Sequence, residues 1–359
     1  MIDWLSGIFT SAQSWLFETA VQPALFALGM GSLLEDAYGA TAWFMMGMVQ
    51  VLVLVAVLGP LQRWRPVEPM DSASSRASIR TDILYTLIHR LGLFRVVLFF
   101  TLDPWFDEIF GALRTAGYGT LHLDQIWPGV TDTAIFSLLI YLVVFDFVAY
   151  WTHRGQHQLK WWWQLHSLHH SQRQMTMWSD NRSHVLESIL DDAIMVLVAQ
   201  LIGVAPEQFI AIVVLTQLSE SLQHANIRLS FGRLGERLWV SPRFHRLHHS
   251  IGIGHETPVQ APSSSSPAGA LEPALPGRRR GGPLGASEPQ EAGSVETFKL
   301  GGHNFGVLLP WWDMLFGTAN FAQRYDPTGI RDQVEADRDY GHGFWSQQWL
   351  GMKRLFGRA

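Results

Sequence analysis

Cysteine is absent from the 359 residues, which excludes disulfides, thiolate metal sites and cysteine nucleophiles together. Charge is scarce: Asp, Glu, Lys and Arg make up 16% of the chain, against 48% hydrophobic residues and 16 tryptophans. That balance favours a multi-span membrane domain over two soluble domains. The net charge of −5 is spread without long runs and gives no sign of a nucleic-acid partner. Met1 to Phe9 lacks the basic stretch that opens a cleavable signal peptide. The zinc-protease motif H-E-x-x-H is also missing, because His255–Glu256 runs into Thr257, Pro258 and Val259.

Histidine is what the chain has instead. DFVAYWTHRGQHQLKWWWQLHSLHH, Asp146 to His170, sets His153 and His157 four apart and then gives His166, His169 and His170 as H-x2-H-H. A second H-x2-H-H stands at His245, His248 and His249. Residues three and four apart share a helix face, so each box can aim several imidazoles at one point. The pattern points to a polynuclear metal site with imidazole ligands. Trp161, Trp162 and Trp163 between the boxes suit the membrane–water boundary.

Thr41 to Leu61 is uncharged over about the twenty residues a bilayer demands and reads as a span. Ile83 to Leu102, with His89 and Arg90 inside it, and Thr133 to Trp151 read as two more. Ser14 to Leu34, with Glu18 and Pro23, either spans or lies in the interface. Leu186 to Val204 and Pro206 to Leu222 read as a helical hairpin turning at Gly203–Pro206. Gln62 to Thr81 carries four arginines, whereas Asp103 to Thr131 carries one, so the first loop is expected in the cytoplasm. Every histidine box then falls on that face, together with His184 and His224. The expected fold is all-α: a bundle of four to six membrane segments with a cytoplasmic helical cap that carries the boxes. The setting is the inner membrane of a bacterium or the endoplasmic reticulum of a eukaryote.

Thr257 to Val295 is dominated by Pro, Gly, Ala and Ser and holds no histidine. With too little apolar surface to offset the entropy of ordering, it reads as a disordered insertion. The expected organisation is therefore an N-terminal membrane region with its basic loop (1–82), a catalytic domain (83–256 and 296–321) split by that insertion (257–295), and a polar tail (322–359).

Imidazole suits Fe, Zn, Cu and Ni alike. A structural zinc takes four ligands, so eight or more imidazoles imply two metals. Two redox metals beside a bilayer suit activation of dioxygen against an unactivated C–H bond. Asp146, Tyr150, His153 and His157 fall at i, i+4, i+7 and i+11 on one helix face. Asp146 is accordingly expected to accept a hydrogen bond from a ligand imidazole or to pair with a basic residue. Glu220 and His224, at i and i+4, invite the same reading. His89 reads as a structural or channel residue, and His122 and His342 as solvent-facing.

The ordered set DFVAYWTHRGQH, WWWQLHSLHH, QHANIRL, VSPRFHRLHHS and HNFGVLLPWWDMLFGT resembles the fatty acid hydroxylase/sterol desaturase superfamily of integral-membrane, non-haem di-iron oxidoreductases. The resemblance covers about Ile83 to Phe321 without the insertion. It implies ligand roles for His153, His157, His166, His169, His170, His245, His248 and His249, and also for His224. It places His184, in H-x2-E with Glu187, and Asn304 near the metals. The chain departs from the family pattern at Phe305, where tyrosine is usual, and in the length between HRLHH and HNFG. The resemblance implies an enzyme with two iron ions that hydroxylates or desaturates a lipid. O2 is the oxidant, and electrons come from a separate ferredoxin or cytochrome b5 type partner. The competing reading is a membrane metal-binding or metal-transport protein without redox chemistry.

Overall fold

The computed structural model describes residues 2–70, 73–251 and 302–358. The expected insertion and His255–Glu256 lie outside the described residues. The described chain is helical, and its one bridge of sheet type joins Ser250 to Thr328.

α1 (Ile2–Leu16), a π-helical turn (Phe17–Val21) and α2 (Gln22–Ala27) open the chain. The helix stops short of Gly29, whose φ of +71° no continuing helix adopts, so Ser14 to Leu34 is not one rod. α3 (Leu34–Val53), a π-turn (Leu54–Leu58) and α4 (Gly59–Trp64) follow. With the 3-10 turn Gly31–Leu33 that precedes them they make Gly31–Trp64, 34 residues long and apolar enough to cross a membrane. Val49, Leu52, Val55 and Val57 on it stay exposed, the surface that lipid rather than water accepts.

The expected span from Ile83 to Leu102 is broken instead. α5 (Ala73–Arg90) ends at Arg90 and α6 (Leu93–Thr101) starts after Gly92, a left-handed residue with φ +77°. Arg90 is the physical reason. Its guanidinium is buried and donates to Asp180 (2.5 Å), the Gln217 side chain (2.7 Å), Ser221 (3.0 Å) and Gln50. Such a charge is held by protein partners rather than by lipid. α3 crosses α5 at Gly47, where a Cβ would stand 1.7 Å from the Arg90 carbonyl oxygen, so only glycine fits.

After α7 (Asp103–Thr115) comes α8 (Ala134–Gln158), the second helix long and apolar enough to cross. It runs two turns beyond the expected end at Trp151, so His153 and His157 ride on the same rod. A single extended residue, Leu159, turns it into α9 (Lys160–His170). α10 (Val185–Ile202) and α11 (Pro206–His224) form the expected hairpin. Gly203 (φ +66°) makes its turn, against the side chains of Thr120 and His122. α12 (Gly232–Gly235), α13 (Pro242–His248), α14 (Trp311–Leu315), α15 (Arg331–Glu335) and α16 (Phe344–Leu355) complete the chain. Ser241 caps α13, accepting from the Phe244 amide, with Pro242 preset at the first helical position.

The core lies between α8 and the hairpin, where Tyr141, Phe145, Ile202, Ile212, Leu308 and Leu309 pack. The tail is not the inert polar segment that its composition suggests. α16 packs along α9, and Gln348 ties Tyr85, Ser183 and Val185 together through its side chain.

Candidate metal centre

Nine histidines converge in two groups. His153, His157, His166, His170 and His248 form one, and His169, His224, His245 and His249 the other. Within each group the candidate ligand nitrogens all lie within 4.8 Å of one another. All nine residues are buried. The boxes interleave. On α9, His166 and His170, four apart, serve the first group, while His169 serves the second. On α13 and its C-cap, His245 and His249, four apart, serve the second group, and His248 crosses to the first. The i, i+4 pairs share a target, and each i+3 histidine reaches across to the other.

Several imidazoles are held from behind. His153 Nδ1 meets the Phe305 carbonyl at 2.9 Å and His248 Nδ1 the His303 carbonyl at 2.8 Å. His224 Nδ1 meets the Glu220 carbonyl at 2.8 Å, and His169 Nδ1 the Arg182 carbonyl at 3.3 Å. A carbonyl only accepts, so in each ring Nδ1 carries the proton and Nε2 keeps its lone pair for the centre. His166 Nδ1 meets a carboxylate instead, Glu187 Oε1, at 2.8 Å.

The second group supplies a direct test of fit. His169 Nε2 and His224 Nε2 lie 3.2 Å apart, although both bear lone pairs and neither can donate to the other. His224 and His245 are 3.1 Å apart through Nε2, as are His245 and His249. Four nitrogens at the corners of a tetrahedron around a metal, each about 2.0–2.1 Å from it, stand about 3.3 Å apart. The spacing is therefore that of a coordination shell. In the first group, both ring nitrogens of His157 and His170 and Nε2 of His166 and His248 are buried without a protein partner. So many open imidazole nitrogens in one place fit metal ligands and little else. Burial holds His166 down to about 3, and burial followed by neighbouring imidazoles holds His170 and His245 well below the usual value. The rings are therefore neutral, the form that binds metal.

The remaining expected residues stand elsewhere. His184 joins neither group. Its Nδ1 accepts from the Leu186 amide at the start of α10, and its Nε2 donates to the Gln348 carbonyl, so neither nitrogen is left for a metal. Among the described residues Asp146 accepts from no imidazole and pairs with no base. It takes the amides of Leu308 (2.7 Å) and Leu309 (3.2 Å) and the Trp312 indole (2.9 Å). Tyr150 bonds Thr318 and Arg154, away from both groups. Asn304, left-handed at φ +61°, clamps Phe244 and Asn320. Asp146, Tyr150 and Asn304 share one task, together with Asp313, which accepts from the Phe305 and Gly306 amides and from Thr318. They fix the loop whose His303 and Phe305 carbonyls orient His248 and His153. Of Asp146, Tyr150, Glu187 and Asn304, Glu187 is the one whose side chain bonds a ligand ring.

Sequence reasoning passed over Asp82 and Arg182. Arg182 donates to Asp82 (2.6 Å) and Ser78 (2.6 Å), and its carbonyl holds His169. Nothing local in the chain signals a pair a hundred residues apart. Asp313 lay inside the WWDMLFGT motif and was legible only as part of it.

A cavity of about 360 Å³ opens beside the histidines. His153 and His166 from the first group and His169, His224 and His245 from the second line it, and it runs on to Phe145, Met195, Phe209 and Ile212. His89 lines it too, away from both groups.

The scaffold and site define a class: a membrane-associated helical protein with two buried histidine groups, each able to hold a metal. Residues 138–256, which include all nine of these histidines, match the fatty acid hydroxylase family. The chain is also similar to the ornithine lipid hydroxylase OlsE of Rhizobium tropici, 27% identical over 203 residues, which are 56% of this chain and 59% of that protein. It thus spans about three-fifths of that relative's length. No solved structure matches.

Proposed function

We propose that this chain hydroxylates a C–H bond of a membrane lipid, using O2 and electrons from a separate ferredoxin or cytochrome b5 type donor. The balance is one lipid C–H, one O2, two electrons and two protons in, with one hydroxyl and one water out. The observation that carries the reading is the convergence of nine buried imidazoles in two groups, five of them on the wall of a cavity with an apolar end. An ion-conducting path would not need that apolar end. Two iron ions, one per histidine group, would supply the reductive activation of O2 that no side chain here provides. The protein's own contribution is positional. Backbone carbonyls and Glu187 fix the tautomers and directions of the rings, and burial keeps those rings unprotonated. The apolar wall excludes water and seats the chain of the lipid. The histidine end is taken to face the cytoplasm.

Lipid extracts from cells with and without the gene, compared by mass spectrometry, test this reading, and ornithine lipid is the first substrate to examine. A gain of one oxygen atom supports hydroxylation, and loss of two hydrogens would mean desaturation. No change in any lipid, with metal uptake by vesicles carrying the protein, would replace the reading with metal transport.

A further inference from the structure

The cavity wall is ordered along its length. On α10, Glu187 holds His166, Asp191 follows one turn on and Met195 another turn on. On α11, His224 belongs to the second histidine group, Glu220 lies one turn back, and Ile212 and Phe209 lie farther out. All of these residues line the cavity. Four residues of helix advance about 6 Å, so both helices present the same series: histidine level, carboxylate level, apolar level. Asp180 and Asp192 add to the carboxylate level.

The cations on the wall are already engaged. Arg90 is engaged by Asp180, Gln50, Gln217 and Ser221, and Arg95 lies over the Trp43 ring, 5.0 Å from its centre. Acceptor atoms also stand open. Asp180 Oδ1, Glu187 Oε2 and Gln223 Oε1 are buried with no hydrogen-bond partner, on side chains or residues only 3%, 1% and 1% exposed. All three residues line the cavity. Against them stand two unpartnered donors on lining residues, Arg90 Nε and, on a ring whose Nε2 faces the second histidine group, His245 Nδ1. A buried acceptor without a donor is costly, and an ammonium group brings three donors and no acceptor. A phosphate or carboxylate at this level would meet like charge and more acceptors.

The geometry points to a binding site for a cationic, amine-bearing lipid head group, held by Asp191 and Glu220 between the histidine groups and the apolar end of the cavity. This deepens the reading of the chain as a lipid hydroxylase and rests on it. The test is equilibrium binding, at neutral pH and in neutral detergent, of oleylamine and of N-oleylacetamide, which keeps the chain and loses the charge. The full-length, metal-loaded protein is expected to prefer the amine by about 10-fold or more, as removal of one member of a buried charge pair implies. Asp191→Asn and Glu220→Gln, nearly the same shape as the wild-type residues, are expected to erase that preference and to leave bound metal unchanged.

Equal binding of the two probes by the wild-type protein would overturn the proposal, as would a preference that survives in both variants. Loss of metal in the variants with the amine preference intact would assign these carboxylates to balancing the charge of the metals, and would overturn it as well. Absence of any O2-dependent lipid oxidation, with the amine preference present and lost in the variants, would instead remove the hydroxylase reading and leave the head-group site standing.

Discussion

His170 and His249 lie face to face, with ring centroids 4.3 Å apart and planes 16° from parallel, yet they belong to different histidine groups. The two centres are therefore neighbours that share a wall of stacked imidazole, built by two helices that each send ligands to both. A box is not a centre. His166→Ala depletes the first group and His245→Ala the second, although the two boxes share one spacing. Each variant is expected to retain about one of the two metals proposed for the chain, and the double variant neither. Metal analysis of protein purified after growth in iron checks this. Loss of both metals in each single variant would mean that the groups form one indivisible site.

Glu187 and Asp146 separate two kinds of carboxylate. Glu187 accepts the proton of the His166 ring, so Glu187→Gln weakens the direction and basicity of a ligand. Metal affinity or lipid oxidation should fall by about 10–100-fold, the usual effect of losing such a partner. Asp146 instead holds three donors of the 308–312 loop. Asp146→Asn places an amide N–H against at least one of them, and the loss is expected in stability, about 1–3 kcal/mol. Thermal melts beside metal content separate the two. A melt unchanged in Asp146→Asn would show that the loop is fixed by other contacts.

The parts of this site that sequence made legible are the local ones. The spacing of His153, His157, His166, His169, His170, His245, His248 and His249 in two boxes and a pair needs only the period of a helix. The α10–α11 hairpin likewise announces itself through Gly203 and Pro206. What escaped depends on contacts between distant segments. Ile83 to Leu102 has the composition of a span, but Arg90 finds Asp180, Gln217 and Ser221, and the helix ends there. His184 sits at the right distance from Glu187 for a ligand, but its nitrogens are taken by Leu186 and by Gln348, 164 residues away. Asp146 shares a face with His153 by periodicity, yet α8 turns it toward the 308–312 loop. Hydrophobicity and spacing give faces; they do not say which neighbour a face meets.

Acid should unfold the protein through its histidines. His166 has a folded pKa of about 3 against the ordinary 6.5, because burial penalises its charged form. The unfolded chain takes up a proton near pH 6.5, and the folded chain resists it until about pH 3. Stability is thus full above about pH 6.5 and falls as pH drops from there toward 3. His170, His245 and His249, also held well below their usual value by burial, steepen the fall. A metal on the same nitrogens competes with protons, so chelator-treated protein should lose its melting temperature at higher pH than loaded protein. Melting curves from pH 8 to 4, with and without chelator, measure both effects. Identical curves would mean that the histidines hold no metal.

His184 offers the sharpest test of where the site ends. Its ring accepts from the Leu186 amide, which caps the first turn of α10, and donates to Gln348 on α16. The ring also lies so close to Gly351 that a Cβ there would come within 2.4 Å of it. The residue thus joins the start of the helix that carries Glu187 to the tail helix that braces α9. Removing it takes away a cap, worth about 0.5–2 kcal/mol, and loosens α16. His184→Ala should therefore lower the melting temperature and leave both metals in place. Gly351→Ala should act in the same direction by pushing the ring off its partners. A ligand would behave in the opposite way, with metal lost before stability. If His184→Ala came back depleted of metal at an unchanged melting temperature, the nine-histidine site would have to be redrawn with a tenth member.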